Sequence, residues 1–309
     1  MLALLPTDGS DPLVALGEEF PPPAAPDEAL IQVEAFSINR GETFLLERPR
    51  GGWRPGRDVS GRVIRAAADG SGPAAGERVV GHPRQAGWAQ LAAVPSAALA
   101  VLPDDVDMVS AAALPLAGLT ALRLLRASDS VAGLRVLLTG ASGGVGHYVT
   151  ELASAAGASV TAISASPERA ERLRALGAAD VVSSLEDATG PYDVAFESVG
   201  GDSLTQALKL LAKGGRLIWL GQASRMPSQL DFFDFFGQTG ATIRHFDHDD
   251  STVPDSRDLA TLVRLVASDR LHPEIGVVAD WTQTASLLAD LRERRVRGNA
   301  VLRIDQDTE

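Results

Sequence analysis

The sequence predicts an α/β protein that combines a doubly wound parallel sheet with a second, β-rich domain. Short apolar segments separated by glycine and proline fill the first third of the chain and predict many short strands. From residue 135 to about residue 243, apolar strands alternate with helical segments, a rhythm typical of parallel βαβ units. At 309 residues, the chain has a length that usually divides into two domains.

The individual elements follow from hydrophobic periodicity and turn residues. In the N-terminal region, strands are predicted at residues 29–36, 59–66, 77–80 and 89–94. A helix rich in alanine and leucine is predicted at 111–126, although it contains Pro115. The alternating region is predicted to hold strands at 135–139, 159–163, 180–182, 194–197, 216–220 and 242–246, with helices at 145–156, 167–176, 204–211 and 231–239. Two amphipathic helices at 256–268 and 282–294 and a strand at 299–304 close the chain.

The composition excludes several classes of function. With a formal net charge of −12 and no basic stripe, the chain is not expected to bind nucleic acid, because it would repel the phosphate backbone. It contains no cysteine, which excludes disulfides, thiol nucleophiles and cysteine-bound zinc. No apolar run approaches the roughly 20 residues that cross a bilayer, and the N-terminus lacks the pattern of a signal peptide. We therefore expect a soluble cytoplasmic protein.

A glycine-rich turn is the strongest motif in the chain. The apolar strand at 136–139 leads into residues 140–146, Gly-Ala-Ser-Gly-Gly-Val-Gly, and then into a helix. The dinucleotide pattern G-x-G-x-x-G fits if Ala141 replaces its first glycine: Gly143 would let the backbone approach a pyrophosphate, and Gly146 would let the helix pack closely on the strand. The helix N-terminus, with Ser142, Gly144 and Val145, would favour the anionic phosphates. The alternative is a tight turn without a ligand, but the strand before it, the helix after it and a second strand about 20 residues on favour a dinucleotide site.

The end of that second strand distinguishes the two nicotinamide dinucleotides. An NAD site usually carries an acidic residue there for the ribose 2′-hydroxyl, whereas residues 164–166 of this chain are Ser-Ala-Ser. Ser164 offers a small hydroxyl, and Arg169 on the following helix is suited to pair with a 2′-phosphate. The alternative for Arg169 is a solvated arginine on a helix surface. The missing acid favours NADP(H).

Two later strand ends carry candidate positions at the border of the cofactor site. Ligands of open α/β sheets bind beyond the carboxyl ends of the strands. Ser198 and Gly200 follow one such strand, and Gly221 follows the next. The alternative is that these residues only shape the turns.

Eight segments, spread over nearly the whole chain, form a pattern that is specific as a set rather than singly. They are residues 33–39, 55–61, 76–79, 87–90, 114–121, the glycine turn, 197–201 and 298–302. In these segments the chain resembles the zinc-independent, quinone-oxidoreductase-like branch of the medium-chain dehydrogenases/reductases. The resemblance implies a GroES-like catalytic domain formed by residues 1–116 and 262–309, around a Rossmann domain at 117–261. It also implies hydride transfer between NADPH and a conjugated or carbonyl substrate in the interdomain cleft.

The resemblance extends to four single residues, and three of them have an alternative. Asn39 is similar to a polar residue beside the nicotinamide that positions the cofactor or binds a substrate oxygen; alternatively, it caps a helix. Thr120 matches a position near the nicotinamide ring, or it is a threonine bonded inside its own helix. Phe233, with Phe232, matches an aromatic pair near the cofactor, or it belongs to the core. Asn299 stands where the family has a lysine near the cofactor.

No metal is expected. Zinc-dependent relatives place a cysteine ligand near Asn39 and a histidine–glutamate pair near Arg57 and Asp58, and neither arrangement exists here. Residues 245–250 carry two histidines and three aspartates, but they close a strand, where successive side chains alternate between faces. In the family this strand is often a dimer edge, so the resemblance implies a homodimer.

One departure from the family concerns the proton. Many relatives have a tyrosine at the position of Phe44, which has no proton to donate. An enolate would then be protonated by water, the substrate or another side chain. The resemblance therefore implies an NADPH-dependent reductase of enones, enoyl thioesters or quinones. An NADPH-binding protein with little redox activity and a secondary-metabolism reductase of enones or ketones are the alternatives.

Overall fold

In the computed structural model, which describes residues 1–305, the chain forms two units. One unit contains Met1–Leu119 and the chain from Thr252 onward, and the other contains Thr120–Ser251. The two boundaries between the domains were expected after residues 116 and 261, and in the structure the units meet after Leu119 and Ser251. Among the described residues, no helix combines the length and the apolar character needed to cross a bilayer.

The elements are as follows in chain order. The strands are β1 (Leu2–Pro6), β2 (Val14–Glu18), β3 (Glu28–Ile38), β4 (Val59–Arg65), β5 (Arg78–Gly81), β6 (Leu91–Pro95), β7 (Leu99–Val101), β8 (Arg135–Leu138), β9 (Ser159–Ile163), β10 (Asp180–Val182), β11 (Tyr192–Glu197), β12 (Leu211–Trp219), β13 (Thr242–His245), β14 (Ile275–Asp280) and β15 (Asn299–Arg303). The helices are α1 (Arg40–Leu46), α2 (Met108–Ala112), α3 (Pro115–Ala127), α4 (Gly144–Ala155), α5 (Pro167–Ala175), α6 (Asp202–Lys209), α7 (Asp255–Ala267) and α8 (Thr284–Arg292). Short 3₁₀ helices cover Ser96–Ala98, Phe232–Phe235 and Trp281–Gln283.

The unit Thr120–Ser251 is built on a six-stranded parallel sheet in the order β10-β9-β8-β11-β12-β13. This is the doubly wound order 3-2-1-4-5-6 of dinucleotide-binding sheets. The strand order reverses between β8 and β11, so the carboxyl ends of these two strands form the topological switch point. Strands buried on both faces explain the continuous apolar runs, for example Val136, Leu137 and Leu138, which are all buried.

The other unit is β-rich, as the sequence predicts. Its seven-stranded sheet runs β14-β15-β3-β4-β5-β7 with β6 paired to β3, and β1 pairs with β2 in a separate antiparallel ribbon. All pairs in the larger sheet are antiparallel except β14 with β15. The core of this unit includes Phe36 stacked on Trp88, with ring centroids 5.6 Å apart, and the buried Trp281. The predicted fold class is therefore confirmed.

Two predicted helices are corrected. The helix predicted at 111–126 is two helices, because Pro115 lacks an N–H group and occupies the first position of α3, where that group is not needed. The helix predicted at 231–239 is wrong: only Phe232–Phe235 forms a 3₁₀ turn. Three of its four phenylalanines, Phe232, Phe233 and Phe236, are exposed, and only the half-buried Phe235 packs against the core. One buried side chain does not stabilise a longer helix, and Gly237 disfavours it further.

Several elements were not predicted. They are β1, β2, β7, β14 and the seven-residue α1. β14 lies at the edge of its sheet. Gly276 within it allows the strand to approach the backbone just before β15, since a Cβ at Gly276 would lie 2.2 Å from Arg297 O. Edge strands bury few side chains and carry a weak hydrophobic pattern.

Candidate functional site

The glycine turn between β8 and α4 has different requirements at each glycine. Gly140 has a φ of +63°, a conformation that side chains rarely adopt. At Gly146, a Cβ would lie 2.4 Å from the backbone oxygen of Ala141, so only glycine allows the helix to pack on the turn. At Gly143 the nearest atom to such a Cβ is Gly140 O at 3.5 Å, an ordinary contact. The protein itself does not require glycine at 143, and the space in front of it is available to a ligand.

The first turn of α4 is arranged to receive an anion. Its N-cap is Gly143, which has no side chain to accept the first N–H groups of the helix. Those groups, at Gly144, Val145 and Gly146, precede the first intrahelical donors and carry the positive end of the helix dipole. His147 stabilises the turn because its backbone N and its Nδ1 both donate to Gly143 O, at 3.1 and 2.9 Å. His147 was not singled out from the sequence, since a histidine in a helix gives no signal of this bond.

The end of β9 carries hydroxyls and no acid. Ser164 is buried, and its backbone N donates to Val182 O at 2.9 Å, which holds the end of β9 beside β10. Arg169 is half-buried on the first turns of α5. Ser184 donates its hydroxyl to Asp187 at 2.9 Å. Asp187 is exposed, and the hydroxyls of Ser183 and Ser184 hold its pKa below the ordinary value.

The ends of β11 and β12 meet beside the glycine turn. Ser198 donates from its backbone N to Thr139 Oγ1 at 3.0 Å and from its Oγ to Thr139 O at 3.1 Å. At Gly221, a Cβ would lie 3.0 Å from Ser198 O, so the two turns are in close contact. The structure thus brings residues 140–146, Ser198 and Gly221 together at the switch point. Glu197, which the sequence did not mark as a site residue, is fully buried at the centre of this arrangement.

Asn39 belongs to a buried polar network in the other unit. It is the N-cap of α1, and its backbone N donates to Glu42 Oε2 at 3.1 Å in a capping box. Its side-chain Nδ2 donates to Asp58 Oδ2 at 2.7 Å. The predicted alternative of a helix-capping role is therefore present in the structure. The amide is also fixed in one orientation, because Asp58 can only accept.

Asp58 is the centre of that network. Ser37 Oγ donates to its Oδ2 at 2.5 Å, and the backbone N of Leu116 donates to its Oδ1 at 2.8 Å. Burial alone would raise the pKa of Asp58, but the adjacent His82 ring and the hydrogen bonds from Ser37 and Asn39 outweigh it and hold the pKa below the ordinary value. Asp58 is thus an ionised carboxylate inside the protein.

Glu42 behaves in the opposite way. It is 1% exposed, and burial together with the charge of Asp58 raises its pKa to about 8. The backbone N–H groups of Gly56 and Asn39 donate to its two oxygens at 2.8 and 3.1 Å. At neutral pH the network therefore contains one charged and one largely neutral carboxyl group.

Arg57 and His82 complete the network. His82 Nδ1 donates to Arg57 O at 2.7 Å and lies 3.5 Å from Asp58 Oδ1. Arg57 Nη2 lies 3.3 Å from His82 Nε2, which makes Nε2 the acceptor because a guanidinium only donates. Arg57 and Asp58, where zinc-dependent relatives have a histidine–glutamate pair, are thus part of a hydrogen-bonded set of protein groups.

The remaining predicted residues lie in different surroundings. Thr120 is 8% exposed on α3. Phe232 and Phe233 are 75% and 67% exposed, so the alternative that they belong to the core is wrong. With Phe236 they form an edge-to-face cluster whose ring centroids are 5.0 to 5.8 Å apart. Asn299 is buried and donates its amide to Glu274 O at 3.1 Å, which ties β15 to the segment before β14.

Comparisons with known proteins agree with this architecture. A family model described as zinc-binding dehydrogenase matches residues 144–268. Quinone oxidoreductase-like protein 2 of Rattus norvegicus is 27% identical, over 96% of this chain and 90% of that protein. The chloroplastic NADPH-dependent alkenal/one oxidoreductase of Arabidopsis thaliana is 32% identical, over 65% of this chain and 57% of that protein. A mycobacterial protein solved in complex with NADPH is 25% identical and superimposes with a TM-score of 0.88, covering 98% of this chain and 100% of its own.

Proposed function

Because the chain belongs to the medium-chain dehydrogenases/reductases of the quinone oxidoreductase type, we propose that it is an NADPH-dependent reductase. Its proposed reaction is the transfer of hydride to a conjugated carbonyl substrate: an enone, an enoyl thioester or a quinone. The observation that carries the proposal is the glycine turn at the switch point, where the protein leaves space in front of Gly143 and requires glycine at 146. The Arabidopsis and mycobacterial relatives, one named for NADPH-dependent alkenal/one reduction and the other bound to NADPH, support it.

The residues at the switch point fit NADP(H). Ser142, Gly143, Gly144, Val145 and Gly146 would hold the pyrophosphate through backbone N–H groups. Ser164 and Arg169 would hold the 2′-phosphate, since the end of β9 lacks the acid that binds a free ribose hydroxyl. Ser198, Gly221, Thr120, Phe233 and Asn299 are proposed to border the remainder of the cofactor.

When bound, reduced NADPH supplies the hydride, and the residues of the chain orient the reactants. Asn39 is the proposed contact in the catalytic unit, and the ionised Asp58 fixes the direction of its amide. Phe44 cannot donate a proton, so protonation of an enolate is assigned to water, the substrate or another side chain. Most of the rate enhancement would then come from positioning and from hydrogen bonds to the developing enolate oxygen.

We also propose that catalysis uses no zinc. The support is chemical: Asn39 replaces a cysteine, and both oxygens of Asp58 already accept hydrogen bonds from protein donors. Metal analysis of the purified protein, together with activity measured before and after chelation, tests this proposal. Stoichiometric zinc whose removal abolishes activity would refute it.

The experiment that tests the proposed function has two steps. NADPH and NADH are first titrated into the protein, and binding is followed by nicotinamide fluorescence. The protein and NADPH are then mixed with enones, enoyl thioesters, quinones and cyclic polyketide-like enones, and the absorbance of reduced nicotinamide is followed. Absence of NADPH binding would refute the proposal. Tight binding without oxidation by any substrate would instead support the alternative of a binding protein, which the loss of a hydroxyl at Phe44 motivates.

Two further proposals concern assembly and location. We propose a homodimer formed along β13, the edge strand of the parallel sheet, where Thr242, Arg244 and His245 are exposed. Light scattering during gel filtration tests it, and a monomeric mass would refute it. We propose a cytoplasmic location, since the chain has no cysteine that would need an oxidising compartment. Recovery in an envelope or extracellular fraction would contradict it.

A further inference from the structure

Glu197 is a buried carboxylate at the carboxyl end of β11, and its relative exposure is 0%. Its Oε1 accepts hydrogen bonds from Thr139 Oγ1 at 3.1 Å, Val199 N at 3.0 Å and Ser203 Oγ at 2.9 Å. Its Oε2 accepts from Gly200 N at 2.9 Å. A buried carboxylate is tolerated only where such donors replace its hydration. These donors come from two parts of the chain, Thr139 at the end of β8 and the stretch from Val199 to Ser203, so the carboxylate fixes how these two parts lie relative to each other.

Two of the peptide groups that donate to Glu197 also accept hydrogen bonds from the segment after β12. The peptide group between Ser198 and Val199 donates its N–H to Glu197, while its oxygen, Ser198 O, accepts from Ala223 N at 3.1 Å. The next peptide group also donates to Glu197, and its oxygen, Val199 O, accepts from Ser224 N at 2.8 Å. Each peptide therefore links the carboxylate to the segment that follows β12, and hydrogen bonds in such chains strengthen one another.

A third bond reaches the glycine turn. Thr139 directly precedes Gly140, and its hydroxyl donates to Glu197 while it accepts from Ser198 N at 3.0 Å. The Glu197 side chain thus bonds directly to the end of β8 and to the loop after β11, and the peptide groups of that loop connect it to the segment after β12, the next strand in the sheet. The loop after β11 also contains two glycines with positive φ, Gly200 at +71° and Gly201 at +60°. The hydrogen bonds to Glu197 hold the loop in this conformation.

We propose that Glu197 is a positioning residue for the dinucleotide: it sets the spacing between the glycine turn, Ser198 and Gly221, and thereby the affinity for NADPH. The proposal rests on the proposed function, since it assumes that the dinucleotide occupies this edge of the sheet. Glu197 does not itself contact the ligand, because it is enclosed by the groups that it orders. Its contribution is the pre-organisation of the three turns before binding.

The first test is Glu197→Gln. The glutamine side chain keeps one oxygen, which can still accept from the three donors that bond to Oε1. Its NH₂ group replaces Oε2 and cannot accept from Gly200 N, so the bond from Gly200 is lost. We expect the dissociation constant for NADPH to rise by about tenfold, the loss typical of one hydrogen bond to a charged group. The matched control is Ser154→Ala at the opposite end of α4, which also removes one hydrogen bond, to Gly177 O at 2.8 Å. Its dissociation constant should stay within about twofold of wild type.

A second variant covers the case in which Glu197→Gln does not fold. Thr139→Val preserves shape and removes the hydroxyl that links β8 to Glu197, and it should also raise the dissociation constant about tenfold. Steady-state kinetics then separate positioning from simple loss of structure. Lost structure lowers kcat through fewer active molecules, whereas misplaced turns raise KM for NADPH with kcat at saturation retained.

The outcomes are distinct. If wild type binds NADPH and both variants bind it within twofold, the positioning role is refuted while the proposed function stands. If the variants lose kcat with unchanged KM, Glu197 only stabilises the fold, and the inference is also refuted. If wild type does not bind NADPH, the proposed function itself fails.

Discussion

Glu42 gives a prediction about the pH dependence of stability. Its carboxyl group has an ordinary pKa of 4.5, and burial together with the charge of Asp58 raises the pKa to about 8 in the folded protein. Between these values the folded state keeps a proton that the unfolded state has released. The free energy of unfolding therefore falls as pH rises through this window, by up to about 1.4 kcal/mol per pH unit, and the fall ends above pH 8.

Replacing the group isolates its effect from all other titrations. Glu42→Gln removes the ionisation and keeps the shape, but only one amide oxygen remains to accept from Gly56 N and Asn39 N. The lost bond costs about 1 kcal/mol at every pH. The variant should therefore be less stable than wild type at pH 5 and gain on it steadily as pH rises, so that it is the more stable protein at pH 8.

The assay is urea unfolding of both proteins at unit intervals between pH 5 and pH 8, with the difference in stability plotted against pH. Glu171→Gln, at an exposed position on α5, is the control for replacing a glutamate as such. A difference between wild type and Glu42→Gln that stays constant over this range would refute the raised pKa. A difference that moves in the opposite direction would show that Glu42 is ionised in the folded state.

Three other predictions concern the glycine turn, Arg169 and the network around Asp58. Gly146→Ala should lower the thermal unfolding midpoint, because its Cβ would lie 2.4 Å from a backbone oxygen and overpacking costs about 1–3 kcal/mol. Gly143→Ala should leave the midpoint unchanged and weaken NADPH binding about tenfold. Equal unfolding midpoints for the two variants would contradict this geometry. Arg169→Gln should weaken NADPH about tenfold and leave NADH within about twofold in the same titration, and an equal loss for both would exclude a 2′-phosphate contact. Asp58→Asn should lower the free energy of unfolding by about 2–3 kcal/mol at pH 7, because an amide nitrogen cannot accept from its donors. Since the folded pKa of Asp58 lies below the ordinary 3.8, that difference should shrink as pH falls below 3.8, and a difference independent of pH would contradict an ionised Asp58.

Local patterns were enough to predict the parallel sheet. The strands Ser159–Ile163 and Asp180–Val182 match their predicted bounds, because both are short apolar runs with polar or glycine-containing segments on either side. The turn at 140–146 was also readable, since its glycines have a fixed spacing. The helix predicted at 231–239 is wrong because three of its four phenylalanines face solvent, and a sequence does not reveal which apolar residues stay exposed.

The polar centres could not be predicted, because their partners are far apart in the chain. Glu197 is the last residue of the strand predicted at 194–197, and its role depends on Thr139, 58 residues earlier. Asp58 depends in the same way on Leu116, 58 residues later. Glu42 lies in α1, which the sequence did not predict, and only the folded structure shows that it is buried. Motifs defined by the spacing of neighbouring residues could be predicted from the sequence, whereas networks formed by residues distant in the chain could not.

The network around Asp58 also bears on protein engineering. Residues 37–39, the start of β4, His82 and the start of α3 all meet at this carboxylate. Installing a metal by replacing Asn39 with cysteine would remove a donor from Asp58, while the other donors would continue to occupy the oxygens that a cation would need. To build a metal site, the metal-binding residues would have to be introduced together, along with replacements for the residues that donate to Asp58. The hydrogen-bonded arrangement is therefore self-consistent, and a single substitution would not convert it into a metal site.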